Sequence, residues 1–184
     1  MAEPGRAEES DAELVRRFRA GDTAGFEELL RRHGRKVYNF ARRFLCDDEA
    51  AKDVFQETMV AVLKTIDRFE SSRPFLPWAL GIAMNRCHEE IRRRTRGAPA
   101  GDRAAHPADP SPGPARSAEE GEAAQRVAAA VGALDDAHRA VFVLRIYHEF
   151  TYAQIGEMLN ISEGTAKSRM HFAVHNVRKL LGPS

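Results

Sequence analysis

The chain is predicted to be all-α: two small helical domains joined by a flexible Pro/Gly/Ala-rich linker. Three observations lead there. Apolar residues recur at steps of three and four in both halves, the spacing of a helix face. The two-residue alternation of a half-buried strand is poorly represented. Between the halves, residues 97–121 read GAPAGDRAAHPADPSPGPARSAEEG, with five of the nine prolines, four glycines and no large apolar residue. Such a stretch cannot bury enough surface to offset its ordering entropy. The expected division is an acidic, disordered tail at 1–10, a first domain at 11–96, the linker at 97–121 and a second domain at 122–184.

Each helix has its own signal. A short helix is expected near 11–20. A longer one starts at Asp22 or Thr23 and carries Phe26, Leu29, Leu30, His33, Val37, Phe40, Ala41 and Phe44 on one face. Cys46-Asp47-Asp48 breaks that pattern, and Asp47 can cap the next helix. There the stripe is Phe55, Met59, Val62, Ile66 and Phe69. Ser71 to Pro74 form a loop, because the residue before proline avoids helical angles, and a helix follows from about Phe75 to Arg96. In the second half Val127, Ala130, Val131 and Leu134 make a stripe. Asp135-Asp136 opens a helix containing Val141, Phe142, Leu144 and Ile146.

Length and composition set limits. A compact chain of 184 residues buries about 70% of its unfolded surface and needs no disulfide or metal staple. The longest near-apolar run, Phe75 to Met84, is too short to span a bilayer, and the acidic N-terminus is no signal peptide. Cys46 and Cys87 make no disulfide framework and are expected to be inert thiols, which points to the cytoplasm. The net charge is only +1, but it is distributed in blocks. Residues 31–46 carry six bases and no acid, residues 71–96 six bases against two acids, and residues 164–184 four bases and no acid. Acid-rich blocks lie between. Segregated basic surfaces on a neutral chain suit a protein that meets DNA in more than one place.

Residues 151–170 read as a helix-turn-helix. Thr151 caps a short helix with Ile155 and Leu159 inside. Asn160-Ile161-Ser162 makes the turn, with Ile161 plugging the angle, and small Ala153 and Gly156 let the helices approach. Ser162, or Thr165 one turn on, starts the second helix with Gly164-Thr165-Ala166-Lys167-Ser168-Arg169. Small and polar residues at such a helix start reach base edges in the major groove. An ordinary helical hairpin with a basic face is the plain alternative.

Two further clusters carry chemistry. Asp53, Gln56 and Glu57 share one helix face by their i, i+3, i+4 spacing, a solvated face or a surface for a basic partner. Phe75, Trp78, Asn85 and Arg86 precede the basic run through Arg92 and Arg93. Aromatic, amide and cationic groups together are what offset the cost of extruding a base from duplex DNA. Trp78 can equally serve the core. No phosphate loop, metal-ligand spacing or catalytic constellation is present in the sequence, so neither enzyme activity, cofactor nor metal is expected.

The chain resembles the extracytoplasmic-function RNA polymerase sigma factors. DVFQETMVAVL (53–63) is similar to the family's polymerase-docking segment. FLPWALGIAMNRCHEEIRRR (75–94) is similar to its promoter-melting segment, and LDDAHRAVFVLRIYHEFTYAQIGEMLNISEGTAKSRM (134–170) to the domain that reads the −35 element. The resemblance implies a factor that binds core RNA polymerase (clamp helices and flap), recognises −10 and −35 elements of promoter DNA and assists melting. It also implies an anti-sigma factor as partner. The polymerase-binding residues would be Asp53, Gln56 and Glu57. Those for the −10 element and melting would be Arg73, Phe75, Trp78, Asn85, Arg86, Arg92 and Arg93. Those for the −35 element would be Thr165, Lys167, Ser168, Arg169 and His171. The family's Arg-Ala-Arg in the recognition helix is here Phe172-Ala173-Val174, which removes two expected phosphate contacts. A free-standing helix-turn-helix repressor is the rival reading.

Overall fold

A computed structural model describes residues 9–97 and 118–182. Within them the chain forms eight α-helices and one 3-10 turn. Residues 1–8 of the expected tail and most of the expected linker lie outside the described residues; Ser10, expected in the tail, belongs to the start of the first helix.

The N-terminal half is a bundle of four helices. Helix α1 (Asp11–Arg19) begins with a capping box, in which the Ser10 hydroxyl accepts from the Glu13 amide and the Glu13 carboxylate accepts from the Ser10 amide. Helix α2 (Thr23–Leu45) is capped by Asp22 and ends at Cys46, whose φ of 54° stops it in the left-handed region. Asp47 caps α3 (Asp48–Thr65) through the Ala50 amide. The chain turns through Ile66–Arg68, and α4 (Phe75–Gly97) starts directly after Pro74. Arg19 organises the turn between α3 and α4: its Nη2 donates to the carbonyls of Ile66 (2.5 Å), Asp67 (3.0 Å) and Phe69 (2.6 Å). The Ile66 carbonyl also accepts from the Phe69 amide that closes the turn.

In the C-terminal half, α5 spans Ala118–Gly132 and so begins inside the stretch expected to be linker. Alanines and glutamates there favour a helix once the prolines have ended. Asp135 caps α6 (Asp136–Ile146). Helix α7 (Tyr152–Leu159) and α8 (Glu163–Leu181) form the helix-turn-helix.

The core contains Phe40, Phe44, Leu14, Leu29, Ile66 and Leu80 from the first half and Leu144 and Ile155 from the second, all with almost no exposure. Truncating one of these phenylalanines to alanine costs about 3–5 kcal/mol. The expected stripes hold in part. Leu30 and Ile146 are exposed, and the buried line of α3 is Val54, Thr58 and Val62, with Phe55 and Met59 only half-buried beside it. The two halves touch: α2 packs on α5 and α6, and α4 packs on α7.

Candidate nucleic-acid interface

The helix-turn-helix is built by its caps. The Thr151 hydroxyl accepts from the Gln154 amide while the Gln154 side chain accepts from the Thr151 amide, which fixes the start of α7. Asn160 ends that helix with φ 53°, in the left-handed region its short amide tolerates. Ser162 then caps α8 by accepting from the Thr165 amide at 3.0 Å. Gly156 is required at the crossing, since a Cβ there would stand 2.8 Å from the Ile161 carbonyl oxygen. Ala153 has no such role. It is exposed, because it lies on the side of α7 away from α8.

Ala166, Met170, Ala173 and Val177 bury the inner side of α8. Lys167, Ser168 and His171 are exposed on its outer side, and Arg169 and Thr165 are half-buried at the edge. The Thr165 hydroxyl is 2.8 Å from that of Ser162. Lys167 pairs with Glu163 at 2.7 Å, both well exposed, so solvent screens the pair and leaves it worth little. Phe172 stands 54% exposed among these polar groups.

Helix α4 presents two lines of residues. Trp78, Asn85 and Arg92 are seven apart and therefore share one side. Arg86 and Arg93 share another, and that side borders a groove of about 590 Å³ against α3, lined also by Gln56, Glu57, Val60 and Lys64. Arg86 pairs with Glu89 at 2.5 Å, and Arg93 pairs with the buried Glu90. Two arginines expected with the melting residues thus stand beside the expected polymerase-binding residues.

The aromatic part of the melting segment differs from expectation. Phe75 is only 4% exposed and packs on Phe69 and His33 at ring distances of 5.7 and 5.4 Å. As the first residue of α4 it is turned into the bundle, and its ring is not available to stack on a base. Trp78 is half-buried against Phe69 and Phe75, with centroids 4.9 and 5.6 Å away. Asn85 and Arg92 are exposed. Arg73 is exposed in the preceding loop, 3.1 Å from Glu70.

On α3, Asp53, Gln56 and Glu57 are all exposed. Their line continues through Val60 and Leu63, which are 49% and 40% exposed. Sequence reasoning missed these two. The signal was available, since both fall off the Val54–Thr58–Val62 line that faces the core.

Burial pushes the thiols of Cys46 and Cys87 up from their ordinary value, which keeps both protonated at neutral pH. Among the described residues, no three His, Cys, Asp or Glu side chains converge to hold a metal ion. No described helix is long and apolar enough to cross a membrane.

Comparison with known proteins places these features in a family. The family model for Sigma-70 region 2 matches residues 29–97, and that for Sigma-70, region 4 matches residues 130–179. The chain is 32% identical to the ECF RNA polymerase sigma factor SigM of Mycobacterium tuberculosis (strain ATCC 25618 / H37Rv), over 97% of this chain and 88% of that one. It is 29% identical to the RNA polymerase sigma factor CarQ of Myxococcus xanthus, over 91% and 95% of the two chains. Among solved structures, CnrH in complex with the cytosolic domain of CnrY superposes with a TM-score of 0.70 at 26% identity, covering 94% of this chain and 97% of that chain. CnrH is a sigma factor of Cupriavidus metallidurans. The first match takes in α3 and α4, the second takes in α6, the helix-turn-helix and most of α8, and their order is that of the relatives: the chain belongs to the extracytoplasmic-function group of sigma-70 RNA polymerase sigma factors.

Proposed function

We propose that this sigma factor holds core RNA polymerase through the outer side of α3 and reads promoter DNA through α4 and α8. The observation that carries the reading is the continuous surface Asp53–Gln56–Glu57–Val60–Leu63, a charged and amide patch running into exposed apolar residues. A solvated helix face has no use for exposed Val60 and Leu63. A protein partner gains from covering them. By family likeness that partner is the clamp helices of the polymerase, with the flap meeting the C-terminal half. Trp78, Asn85 and Arg92 then face the −10 region, and Lys167, Ser168 and His171 the −35 element. Arg86 and Arg93 flank the clamp-binding groove. The functional units are 11–96 and 122–184, and the site of action is the bacterial cytoplasm. An anti-sigma factor is proposed as a further partner on the family likeness, and the relative CnrH was solved in complex with another protein domain, the cytosolic domain of CnrY.

The test is run-off transcription with purified core polymerase, alongside co-purification with core. Asp53→Ala combined with Gln56→Ala leaves the fold intact, since both residues are exposed, and lowers core binding. Undiminished co-purification overturns the assignment of α3. A free-standing repressor, by contrast, binds its operator without core and directs no initiation.

A further inference from the structure

Phe172 is the feature of α8 that the function described so far does not use. It is a large apolar side chain, 54% exposed, on the helix that meets DNA. Its position is one turn beyond Ser168 and two beyond Thr165, on the outer half of the helix opposite Ala166, Met170 and Ala173. Two imidazoles flank the ring edge-on, His171 at 5.9 Å and His138 of α6 at 6.0 Å. His138 is itself anchored, its Nδ1 2.5 Å from the Asp135 carboxylate that caps α6. The ring is thereby steered from two sides while its remaining face stays open.

The surroundings indicate what that face meets. The neighbouring outer positions Lys167, Ser168, His175 and Lys179 are polar or basic and exposed, and the one acid at the helix start, Glu163, is paired with Lys167. A polar, lysine-bearing rim around one apolar ring fits a polyanion that offers one apolar spot. In the major groove that spot is the C5 methyl of thymine, the only apolar group on any base edge there.

We propose that Phe172 is a specificity-determining residue whose ring packs on the methyl group of a thymine in the upstream promoter element. The inference rests on the reading that α8 enters the major groove. One helical turn separates Phe172 from Ser168, about 5.4 Å, so the thymine lies one or two base pairs from the base that Ser168 faces. Covering one methyl is worth about four-fold in affinity.

The experiment uses the full chain with core polymerase on templates randomised across the upstream element, with sequencing of the templates transcribed. The wild-type holoenzyme enriches thymine, on either strand, at one position. Phe172→Ala keeps its helicity and melting temperature and loses enrichment at that position alone. Phe172→Arg shifts that position toward guanine, which a guanidinium contacts through O6 and N7. Replacing the thymine by deoxyuridine, which lacks only the methyl, lowers wild-type transcription about four-fold and leaves Phe172→Ala unaffected. Unchanged enrichment in Phe172→Ala, or indifference of the wild type to deoxyuridine, overturns the proposal while leaving the reading of α8 intact. A uniform loss on all templates with weakened core binding overturns it in favour of a protein contact. No upstream preference in the wild type removes the reading of α8 and the proposal together.

Discussion

Arg139 of α6 donates through Nη1 to the main-chain carbonyl of Phe44 on α2, 2.8 Å away and 95 positions earlier in the chain. Its Nη2 donates to the carbonyls of Gly132 and Leu134 at 2.7 and 2.6 Å. One half-buried cation therefore serves the C-terminal end of α2 in one half and of α5 in the other, the ends that helix dipoles make negative. Around it, Arg43 stacks 4.1 Å above the Tyr147 ring and His148 packs against Phe40 at 5.9 Å. The two halves are docked through specific contacts.

Docking limits reach. A compact body of this length is about 40 Å across, whereas promoter elements two helical turns apart are separated by about 70 Å. On the proposed reading, in which α4 and α8 meet both elements at the spacing the family likeness implies, the docked form opens. A Cβ built on Gly132 lies 3.7 Å from the Cβ of Cys46 and 3.0 Å from its sulfur, within the range that a disulfide accepts. Gly132→Cys should therefore cross-link to Cys46 on oxidation. The cross-linked protein is expected to lose promoter-directed transcription and regain it with reductant. A non-reducing gel and paired transcription assays check this, and full activity of the cross-linked form would refute the requirement for opening.

The docked contact should also weaken in mild acid. Burial, followed by the nearby Arg43 and Lys36 charges, pulls the His148 pKa from 6.5 down to about 4. Released or unfolded chain therefore binds a proton that the packed state refuses. Stability from this group is complete above pH 6.5 and is lost as pH falls through the interval to about 4. His88 shifts in the same direction, chiefly by burial. Thermal unfolding at pH 7 and pH 5 should show a drop for the wild type and a smaller one for His148→Phe. Equal drops would remove His148 as a contributor.

Helix starts were legible in the sequence because they depend on local chemistry. Asp22, Asp47, Asp135 and Thr151 each bond an amide within three residues, so a short window contains the cause. The exposure of Asp53, Gln56 and Glu57 was legible for the same reason, as spacing on one helix. What joins distant segments was not. Nothing near Phe75 shows that its ring meets Phe69 and His33, and nothing near Arg86 shows that it faces Gln56 across a groove. The docking of Arg139 on Phe44 depends on two helices whose separation in sequence includes the stretch outside the described residues.

Gly156 supplies a stability prediction. Glycine is a poor helix former, so Gly156→Ala would stabilise α7 on propensity alone. The added methyl would stand 2.8 Å from the Ile161 carbonyl and 3.4 Å from the Glu163 amide nitrogen, both main-chain atoms that cannot rotate away. The steric effect outweighs the propensity gain, and a net loss of about 1–3 kcal/mol is expected. Denaturant unfolding measures it. A stabilised variant would mean that α7 and α8 can separate at no cost.

Lys167 and Arg169 should fail in different ways. Lys167 is exposed on the outer side of α8, tied only to a solvent-screened Glu163. It can release that carboxylate and reach a guanine edge. Arg169 is half-buried at the flank, and we assign it to phosphate rather than to a base edge. Losing a base contact costs about 1–3 kcal/mol of discrimination at one position. Losing a phosphate contact weakens all sequences alike and lowers the slope of log affinity against log salt by about 0.9. Upstream DNA fragments bound by the holoenzyme at several salt concentrations separate the two. Lys167→Ala should change which −35 sequences are preferred, with Arg169→Ala keeping the preference and flattening the salt slope. The opposite pattern would exchange their roles and place the groove-facing side of α8 on the Arg169 flank.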